Sequence, residues 1–174
     1  MSSTIRLYFS DKIESDLLSH LTKKQTHYVK DVMRLKIGDK LSIFNNQGEW
    51  CAIIESYEKS GAKIKIMEKA RDKDNEKNIW LAFSPIKQNP LNFLIQKGTE
   101  LGVKKFTPIL SERTVVREIN IERIKKIIIE ASEQSNRVSI PEINKPKLLK
   151  DFLSQFPIKG SLIFCDINSN KNNL

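Results

Sequence analysis

The feature that most constrains this 174-residue chain is a change in the spacing of its apolar residues near residue 70. Before that point, apolar and polar residues alternate over short stretches, which is typical of half-buried β-strands. After it, continuous apolar runs alternate with stretches in which apolar residues recur every three or four positions, which is typical of a parallel sheet with helices on its faces. The sequence therefore predicts a β unit followed by an α/β unit.

The first unit, residues 1–70, is predicted to be a small β-barrel, because several short strands follow one another closely. A short amphipathic helix capped by Thr26 interrupts them, and Tyr28, Val29, Val32 and Met33 are expected to share one of its faces. Turns are predicted at residues 45–48 and 59–61. The apolar positions of the strands are Ile5, Leu7 and Phe9; Leu41, Ile43 and Phe44; Trp50, Ala52 and Ile54; and Ala62, Ile64 and Ile66.

Residues 71–78 are all polar and are predicted to be a linker. In residues 79–174, buried strands are predicted at 79–83, 106–110 and 161–165. Pro90 is expected to open the first helix, Gly102 to end it, and Asn120 to cap the second. The apolar stripes of three helices are Leu91, Leu94, Ile95, Gly98 and Leu101; Ile121, Ile124, Ile128 and Ala131; and Leu148, Leu149, Phe152, Leu153 and Phe156.

The net charge is +9, from 30 Lys and Arg against 21 Asp and Glu. This sign favours a polyanionic partner such as nucleic acid, although a low-GC coding bias also enriches Lys, Ile and Asn. Cys51 and Cys165 are predicted to be buried free thiols, which indicates a reducing compartment. With no signal-peptide pattern and no membrane-spanning apolar run, a cytoplasmic protein is expected.

Polar residues follow each predicted strand of the second unit. Ligands bind beyond the carboxyl ends of parallel strands, so one cleft is expected to gather Lys87, Arg113 and Asp166. The alternative is that these loop residues are simply solvated.

Two clusters on the predicted helices are candidate sites. Lys97 and Glu100 are three residues apart and are expected to face each other, either as a site or as an exposed ion pair. Glu130, Gln134 and Arg137 lie opposite the isoleucine stripe, and Gln and Arg are suitable partners for phosphate, ribose or a base edge. The alternative for them is a polar helix face with a basic end.

Other chemistries find little support in the sequence. The only histidines, His20 and His27, both lie in the first unit, and no phosphate-binding glycine loop or metal-ligand spacing is present. Protease, P-loop NTPase and zinc-enzyme functions are therefore not expected, no metal is predicted, and any catalysis must depend on positioning and electrostatics.

Four segments, read in order, resemble the RsmE family of RNA methyltransferases. Residues 97–103, Pro108 and residues 111–113 resemble its K-x-T-E-L-G-V, P and S-E-R stretch. Residues 130–137 with Pro141 resemble its E-A-x-E-Q-S-x-R and following P. Upstream, residues 6–9 and 27–39 resemble its R-x-F and H-x-x-x-V-x-R … G-D signatures.

The resemblance implies a PUA-like RNA-binding barrel followed by a partial SPOUT-type parallel α/β sheet, an α/β plus β fold. It also implies transfer of a methyl group from S-adenosylmethionine to N3 of a uridine in 16S ribosomal RNA, by a homodimer. On this basis Arg113, Arg137 and Lys87 are expected to be catalytic. The residues expected to bind RNA or support the substrate cleft are Arg6, His27, Arg34, Lys97, Glu100 and Gln134.

The sequence departs from the family after residue 165, because it lacks the family's G-P-E-G-G loop and later L-G-x-x-I-L-R-x-E-T-A segment. In the family these segments form the knot and most of the cofactor site and dimer interface. The knot is therefore expected to be absent, and the chain alone is expected to bind S-adenosylmethionine weakly or not at all. The alternatives to an enzyme are a non-catalytic RNA-binding protein and a remnant without function.

Overall fold

A computed structural model of the protein describes residues 5–73, 75–157 and 159–165. Within these ranges the chain forms two sheets, each with its own hydrophobic cluster. The first sheet has five strands in the spatial order β1-β3-β4-β5-β2. Its strands are β1 (Arg6–Tyr8), β2 (Leu18–His20), β3 (Lys40–Asn45), β4 (Gly48–Glu58) and β5 (Gly61–Asp72).

The core of the first sheet follows the predicted alternation. Leu41, Ile43, Ala52, Ile54, Ala62, Ile64 and Ile66 are all buried in one cluster. β1 pairs parallel with β3, whereas the other strand pairs of this sheet are antiparallel. Gly61 is required where β2 passes close to β5, because a Cβ there would lie 2.5 Å from the Leu21 carbonyl oxygen and its φ is +142°.

The helical segment of the first unit differs from the prediction. Thr22, not Thr26, caps helix α1 (Lys23–His27), and Gln25 completes a capping box with it. A π-helical turn, Tyr28–Val32, follows and buries only Val29. Thr26 instead accepts a hydrogen bond from Ala62 N at 2.8 Å, so its side chain joins the helix to β5.

The segment predicted to be a linker is partly structured. β5 continues through Arg71 and ends at Asp72, and Glu76 forms an ion pair with Arg137. Eight polar residues suggested that nothing here could be buried, but Arg71 and Glu76 are held by partners that lie far away in the sequence.

The second sheet consists of parallel pairs around β7. Its strands are β6 (Trp80–Phe83), β7 (Lys105–Leu110), β8 (Glu142–Ile143) and β9 (Lys147–Leu148), and each of the others pairs with β7. Helix α2 (Gln88–Glu100) and helix α3 (Ile121–Gln134) pack on it, and α4 (Leu149–Ser154) is short. The core contains Phe83, Leu91, Ile95, Val103, Phe106, Ile124 and Ile128.

Helix ends in this unit are close to their predicted positions. Asn120 caps α3 by accepting a hydrogen bond from Arg123 N at 2.9 Å, as expected. Gly102, with φ +90°, follows the end of α2. The first helix begins earlier than expected, with Lys87 at the N-cap and Pro90 inside the first turn. Leu101, expected in the apolar stripe, is 80% exposed because it is the C-terminal cap residue of α2.

The predicted third strand, residues 161–165, is wrong. These residues form no strand, and Ile163 and Phe164 are 73% and 83% exposed. The additional parallel partners of β7 are β8 and β9 instead, which are too short and too polar to have a clear strand pattern. An apolar run becomes a strand only when a neighbour supplies hydrogen-bond partners, and that contact is not encoded locally.

Three further predictions about burial are wrong. Cys165 is exposed and Cys51 is only half-buried. β6 was expected to be covered on both faces, but Trp80 at its start is exposed, and Lys105 lies over its ring. Helix α4 spans six residues and buries none of them. In the part of the chain that the structure describes, no helix is long and apolar enough to cross a membrane.

Candidate nucleic-acid and substrate site

Three hydroxyl groups join the loops that follow β6 and β7. Thr114 Oγ1 lies 3.0 Å from both Ser84 Oγ and Ser111 Oγ, and it accepts a hydrogen bond from Ser111 N at 2.8 Å. Thr114 is buried, whereas Ser84 and Ser111 are exposed, so the network lies at the surface of the two loops. Because β6 and β7 are parallel, their carboxyl ends lie side by side, and the hydroxyl network fixes the two loops against each other.

Of the three residues predicted to be catalytic, Lys87 and Arg113 lie on these loops, whereas Arg137 does not. Lys87 is the N-cap residue of α2 and is exposed. Arg113, between Ser111 and Thr114, is exposed as well. The structure therefore brings the Lys87 loop and the Arg113 loop together at one edge of the sheet. Asp166, the third residue predicted for this cleft, lies outside the described residues.

Arg137 lies inside the second unit and not on an open surface. Its Nε and Nη2 donate to the two Glu76 carboxylate oxygens at 2.6 and 2.8 Å. Its Nη1 donates to the carbonyl oxygens of Thr99 and Val103 at 2.9 and 2.8 Å. Only 6% of Arg137 is exposed, so its guanidinium ties residue 76 to the end of α2.

Arg6 also lies in a buried contact, which joins the first sheet to the end of α3. Its guanidinium is bidentate on Glu49, at 3.0 and 3.1 Å. The same group donates to the carbonyl oxygens of Ser132, Glu133 and Arg137 at 3.0–3.1 Å, and it stacks over the Phe44 ring. The Ser132 and Glu133 carbonyls lie in the last turn of α3 and carry the negative end of its dipole, so a cation there is favourable.

Arg71 completes this contact, which we call the interdomain joint (Arg6, Glu49, Arg71 and residues 132–137). Its Nε donates to Glu49 at 2.9 Å, and its Nη2 donates to Asn136. Asn136 has φ +60°, which turns the chain sharply after α3. Two guanidinium groups therefore share one buried carboxylate and fix the first sheet on the last turn of α3.

The carboxylates of these contacts have shifted pKa values. Burial alone would raise the pKa of Glu49, but the hydrogen bonds and charges of Arg6 and Arg71 outweigh it and hold the pKa below 4.5. Burial likewise opposes the Arg137 and Ser139 contacts of Glu76, whose pKa is also lowered. Glu133 differs, because burial and the nearby charge of Glu130 raise its pKa although Tyr8 N–H donates to it.

The remaining predicted residues are on the surface. His27 Nδ1 lies 2.7 Å from Asp31, and Arg34 is exposed with φ +57°. Gln134 ends α3 and is exposed. Lys97 and Glu100 form the predicted ion pair at 2.6 Å.

Hydrogen bonds from Lys97 and then Gln96 lower the pKa of Glu100, whose side chain is partly exposed. Lys97 also lies near the exposed Phe93 ring. The geometry is that of a partly exposed ion pair within one helix, and such pairs contribute little to stability.

Sequence reasoning missed Glu49 and Glu76, the carboxylates that pair with the buried Arg6 and Arg137. It also missed Arg71, which shares Glu49 with Arg6. Glu49 had one usable signal, since a carboxylate inside an apolar alternation must have a buried partner. Arg71 and Glu76 had none, because a polar run resembles a solvated linker. Among the residues that the structure describes, no group of three or more His, Cys, Asp or Glu could hold a metal ion.

Comparison with known proteins identifies the family. The family described as "RNA methyltransferase domain" matches residues 73–174, and the one described as "RNA methyltransferase PUA domain" matches residues 21–67. The chain is 34% identical over 152 residues to ribosomal RNA small subunit methyltransferase E of Rickettsia conorii, covering 86% of this chain and 62% of the relative. The corresponding enzyme of Buchnera aphidicola (from Schizaphis graminum) is 33% identical over 152 residues, covering 83% and 62%.

Solved structures agree with this result. A methyltransferase from Legionella pneumophila in complex with SAM matches with a TM-score of 0.78 and 31% identity, covering 88% of this chain and 66% of that one. A ribosomal RNA small subunit methyltransferase E from Neisseria gonorrhoeae bound to S-adenosyl methionine gives a TM-score of 0.79 at 25% identity, covering 89% and 66%. The chain thus spans less than two thirds of these relatives' length. By sequence and by fold, this chain belongs to the RsmE family of RNA methyltransferases.

Proposed function

We propose that this chain binds small-subunit ribosomal RNA through its first unit and takes part in methylating N3 of a uridine, with S-adenosylmethionine as the donor. The observation that supports this most directly is the joined pair of loops at the carboxyl edge of β6 and β7. It presents Lys87 and Arg113 on a domain of the RNA methyltransferase family.

The chemistry of the reaction explains why cations are useful at this edge. Uridine N3 must lose its proton before it can attack a methyl carbon, so negative charge develops on the base. Exposed Lys87 and Arg113 can stabilise that charge, and the Ser84–Thr114–Ser111 network holds their loops in position without reorganisation. Arg137, with its guanidinium held by Glu76, serves this reaction as a positioning residue for the end of α2.

The donor requires a cavity, and the described residues do not fit it by themselves. The loops at the carboxyl edge are largely exposed, and Val115 is 93% exposed. Two shallow cavities of about 300 and 320 Å³ lie elsewhere, and polar residues dominate their linings. Small-ligand sites are mostly enclosed and apolar, and neither cavity has this character, so we expect the donor to bind this chain more weakly than micromolar. Titration calorimetry with S-adenosylmethionine measures this directly.

RNA binding is the first test of the proposal. A chain of net charge +9 that contacts phosphates is expected to lose affinity steeply as salt increases, because binding releases condensed counterions. Fluorescence anisotropy with small-subunit RNA at roughly 50 and 200 mM salt measures the slope. Absence of binding at low salt would contradict the proposal. A homodimer stays a prediction, which sedimentation velocity tests.

Methyl transfer is the second test. The 174-residue chain is incubated with small-subunit RNA and a tritiated donor at millimolar concentration, so that weak donor binding does not hide the reaction, and nucleosides are analysed for 3-methyluridine. Arg113→Ala and Lys87→Ala are each expected to lower the rate by about tenfold to a thousandfold. Arg117→Ala, an exposed arginine of the same loop region, is the matched control. RNA binding without any methylation would favour the non-catalytic RNA-binding alternative.

A further inference from the structure

A cavity of about 320 Å³ lies on the first unit, beside the interdomain joint. Its lining consists of Tyr8, Ser10, Asp11, Lys12, Asn45, Asn46 and Gln47. None of these residues was singled out by the sequence for a binding role. The volume lies at the lower end of the range of small-ligand sites, so the cavity suits a single planar ring system and not a large cofactor.

Two amide side chains in this lining, those of Asn46 and Gln47, use their oxygen atom in a hydrogen bond within the protein and leave their NH2 group available to a ligand. Asn46 Oδ1 accepts a hydrogen bond from Ile140 N at 2.9 Å, and Gln47 Oε1 accepts one from Asn45 Nδ2 at 3.4 Å. Within the described ranges, Asn46 Nδ2 and Gln47 Nε2 donate to no other protein atom. Each amide therefore offers a fixed pair of N–H donors, the groups that recognise carbonyl and ring-nitrogen acceptors on a base.

Tyr8 provides an aromatic side chain in the same cavity. Its ring meets Phe44 edge-on with a centroid distance of 6.1 Å. Its backbone is held on both sides, because Tyr8 N donates to Glu133 and Tyr8 O accepts from Gln25. The ring is only partly buried, so part of its surface is open to a ligand. Unstacked RNA bases are typically bound by stacking on such rings.

The charge of the lining distinguishes a base from a phosphate. Asp11 contributes a carboxylate that accepts from Ser10 Oγ, and the nearby cation, Lys12, forms an ion pair with Glu14. A carboxylate repels an anionic ligand but accepts hydrogen bonds from the N–H groups of a base. A neutral ring with both donors and acceptors matches this lining better than a phosphate does.

We infer that the Tyr8–Asn46–Gln47 cavity binds one unpaired RNA base of the substrate. This inference rests on the proposed RNA-binding function and adds a specific position to it. Tyr8 contacts Glu133 and Asn46 contacts Ile140, so a base bound here lies where the first sheet meets α3 and the segment that follows it. RNA held at this junction is fixed relative to both units, which a phosphate contact on the outer face of the sheet cannot achieve.

The test uses substitutions that retain the anchoring contact. Asn46→Asp keeps an oxygen acceptor for Ile140 N but loses the open N–H donors. Asn75→Asp is the matched control, because it makes the same change in charge at an exposed residue of the other cavity. A fluorescein-labelled single-stranded RNA heptamer of mixed sequence and a 16-base-pair RNA duplex are titrated with each full-length variant.

The expected result is a heptamer Kd at least tenfold higher for Asn46→Asp than for Asn75→Asp, with little difference between them on the duplex. Tyr8→Leu is expected to weaken the heptamer as strongly, because base stacking on an aromatic ring is lost. Equal weakening by Asn46→Asp and Asn75→Asp would overturn the inference, since charge alone would then explain it. Heptamer binding without small-subunit RNA binding or methylation would contradict the proposed function but leave the base site standing.

Discussion

Replacement of Arg137 distinguishes a structural role for this residue from the catalytic role that its sequence motif suggested. Arg137→Ala removes two hydrogen bonds to the Glu76 carboxylate and the two hydrogen bonds from Nη1 to the carbonyl oxygens of Thr99 and Val103. The Glu76 side chain is only 15% exposed, so its carboxylate is left largely desolvated and without its cation.

Removal of one partner of a buried ion pair typically costs about 3–5 kcal/mol, and we expect Arg137→Ala to lose that much free energy of unfolding. For a chain of this size, such a loss lowers the Tm by roughly 6–20 °C. Differential scanning calorimetry at pH 7 measures it. Arg117 is exposed and forms no ion pair or side-chain hydrogen bond within the described residues, so Arg117→Ala is expected to stay within about 0.5 kcal/mol of the unsubstituted protein.

A double-mutant cycle with Glu76→Gln tests whether Arg137 stabilises the fold through its ion pair with Glu76. Because Arg137 and Glu76 act on each other, the double variant is expected to be more stable than the sum of the single effects predicts, by at least about 1 kcal/mol. If Arg137→Ala left the Tm unchanged and the cycle additive while methylation was lost, the guanidinium would act on the substrate, and the structural reasoning would be refuted.

Three further predictions concern the second unit. Gly98→Ala would bring a Cβ within 2.7 Å of the Phe106 ring, so we expect a net loss of about 1–2 kcal/mol despite the better helix propensity of Ala, measured by urea unfolding. Asn120→Ala removes the cap of α3 and is expected to cost about 1 kcal/mol in the same assay; no change would show that the cap is dispensable. Glu133 has a raised pKa, so its proton stabilises the fold below pH 4.5 and that stability is lost as pH rises through the folded pKa. Glu133→Gln, which still accepts from Tyr8 N–H, is therefore expected to be more stable than the unsubstituted protein at pH 7 but not below pH 4; equal stability at both pH values would argue against the shift.

Local patterns predicted the elements whose partners are near in sequence. Asn120 precedes a long apolar stripe, so the cap of α3 followed directly from the residues. The cap of α1 was missed although Thr22 and Gln25 form a capping box, because the apolar residues that seemed to define the helix begin only at Tyr28 and lie in a π-helical turn. Helical spacing was a poor guide there, because only Val29 packs inward.

Contacts between distant residues could not be read from the sequence. Arg137 was placed on a polar helix face, but α3 ends at Gln134 and the left-handed Asn136 turns the next residue into the interior. Residues 161–165 have the composition of a buried strand, yet no strand pairs with them in the described structure. The loops that follow β6 and β7 do lie side by side, because the geometry of adjacent parallel strands requires it, and a cleft shared by Lys87 and Arg113 stays a prediction.

The interdomain joint has a consequence for how the protein acquires its structure during synthesis. Arg6 can pair with Glu49 early, but its carbonyl acceptors in the last turn of α3 and just after it lie 126, 127 and 131 residues away in the chain. Contacts of such long sequence separation form late, because a long loop must close first. The first sheet can therefore complete its core on the ribosome before the second unit has emerged. Glu49 already orients the guanidinium groups of Arg6 and Arg71 at that stage, and the end of α3 binds to them once it has been synthesised and folded.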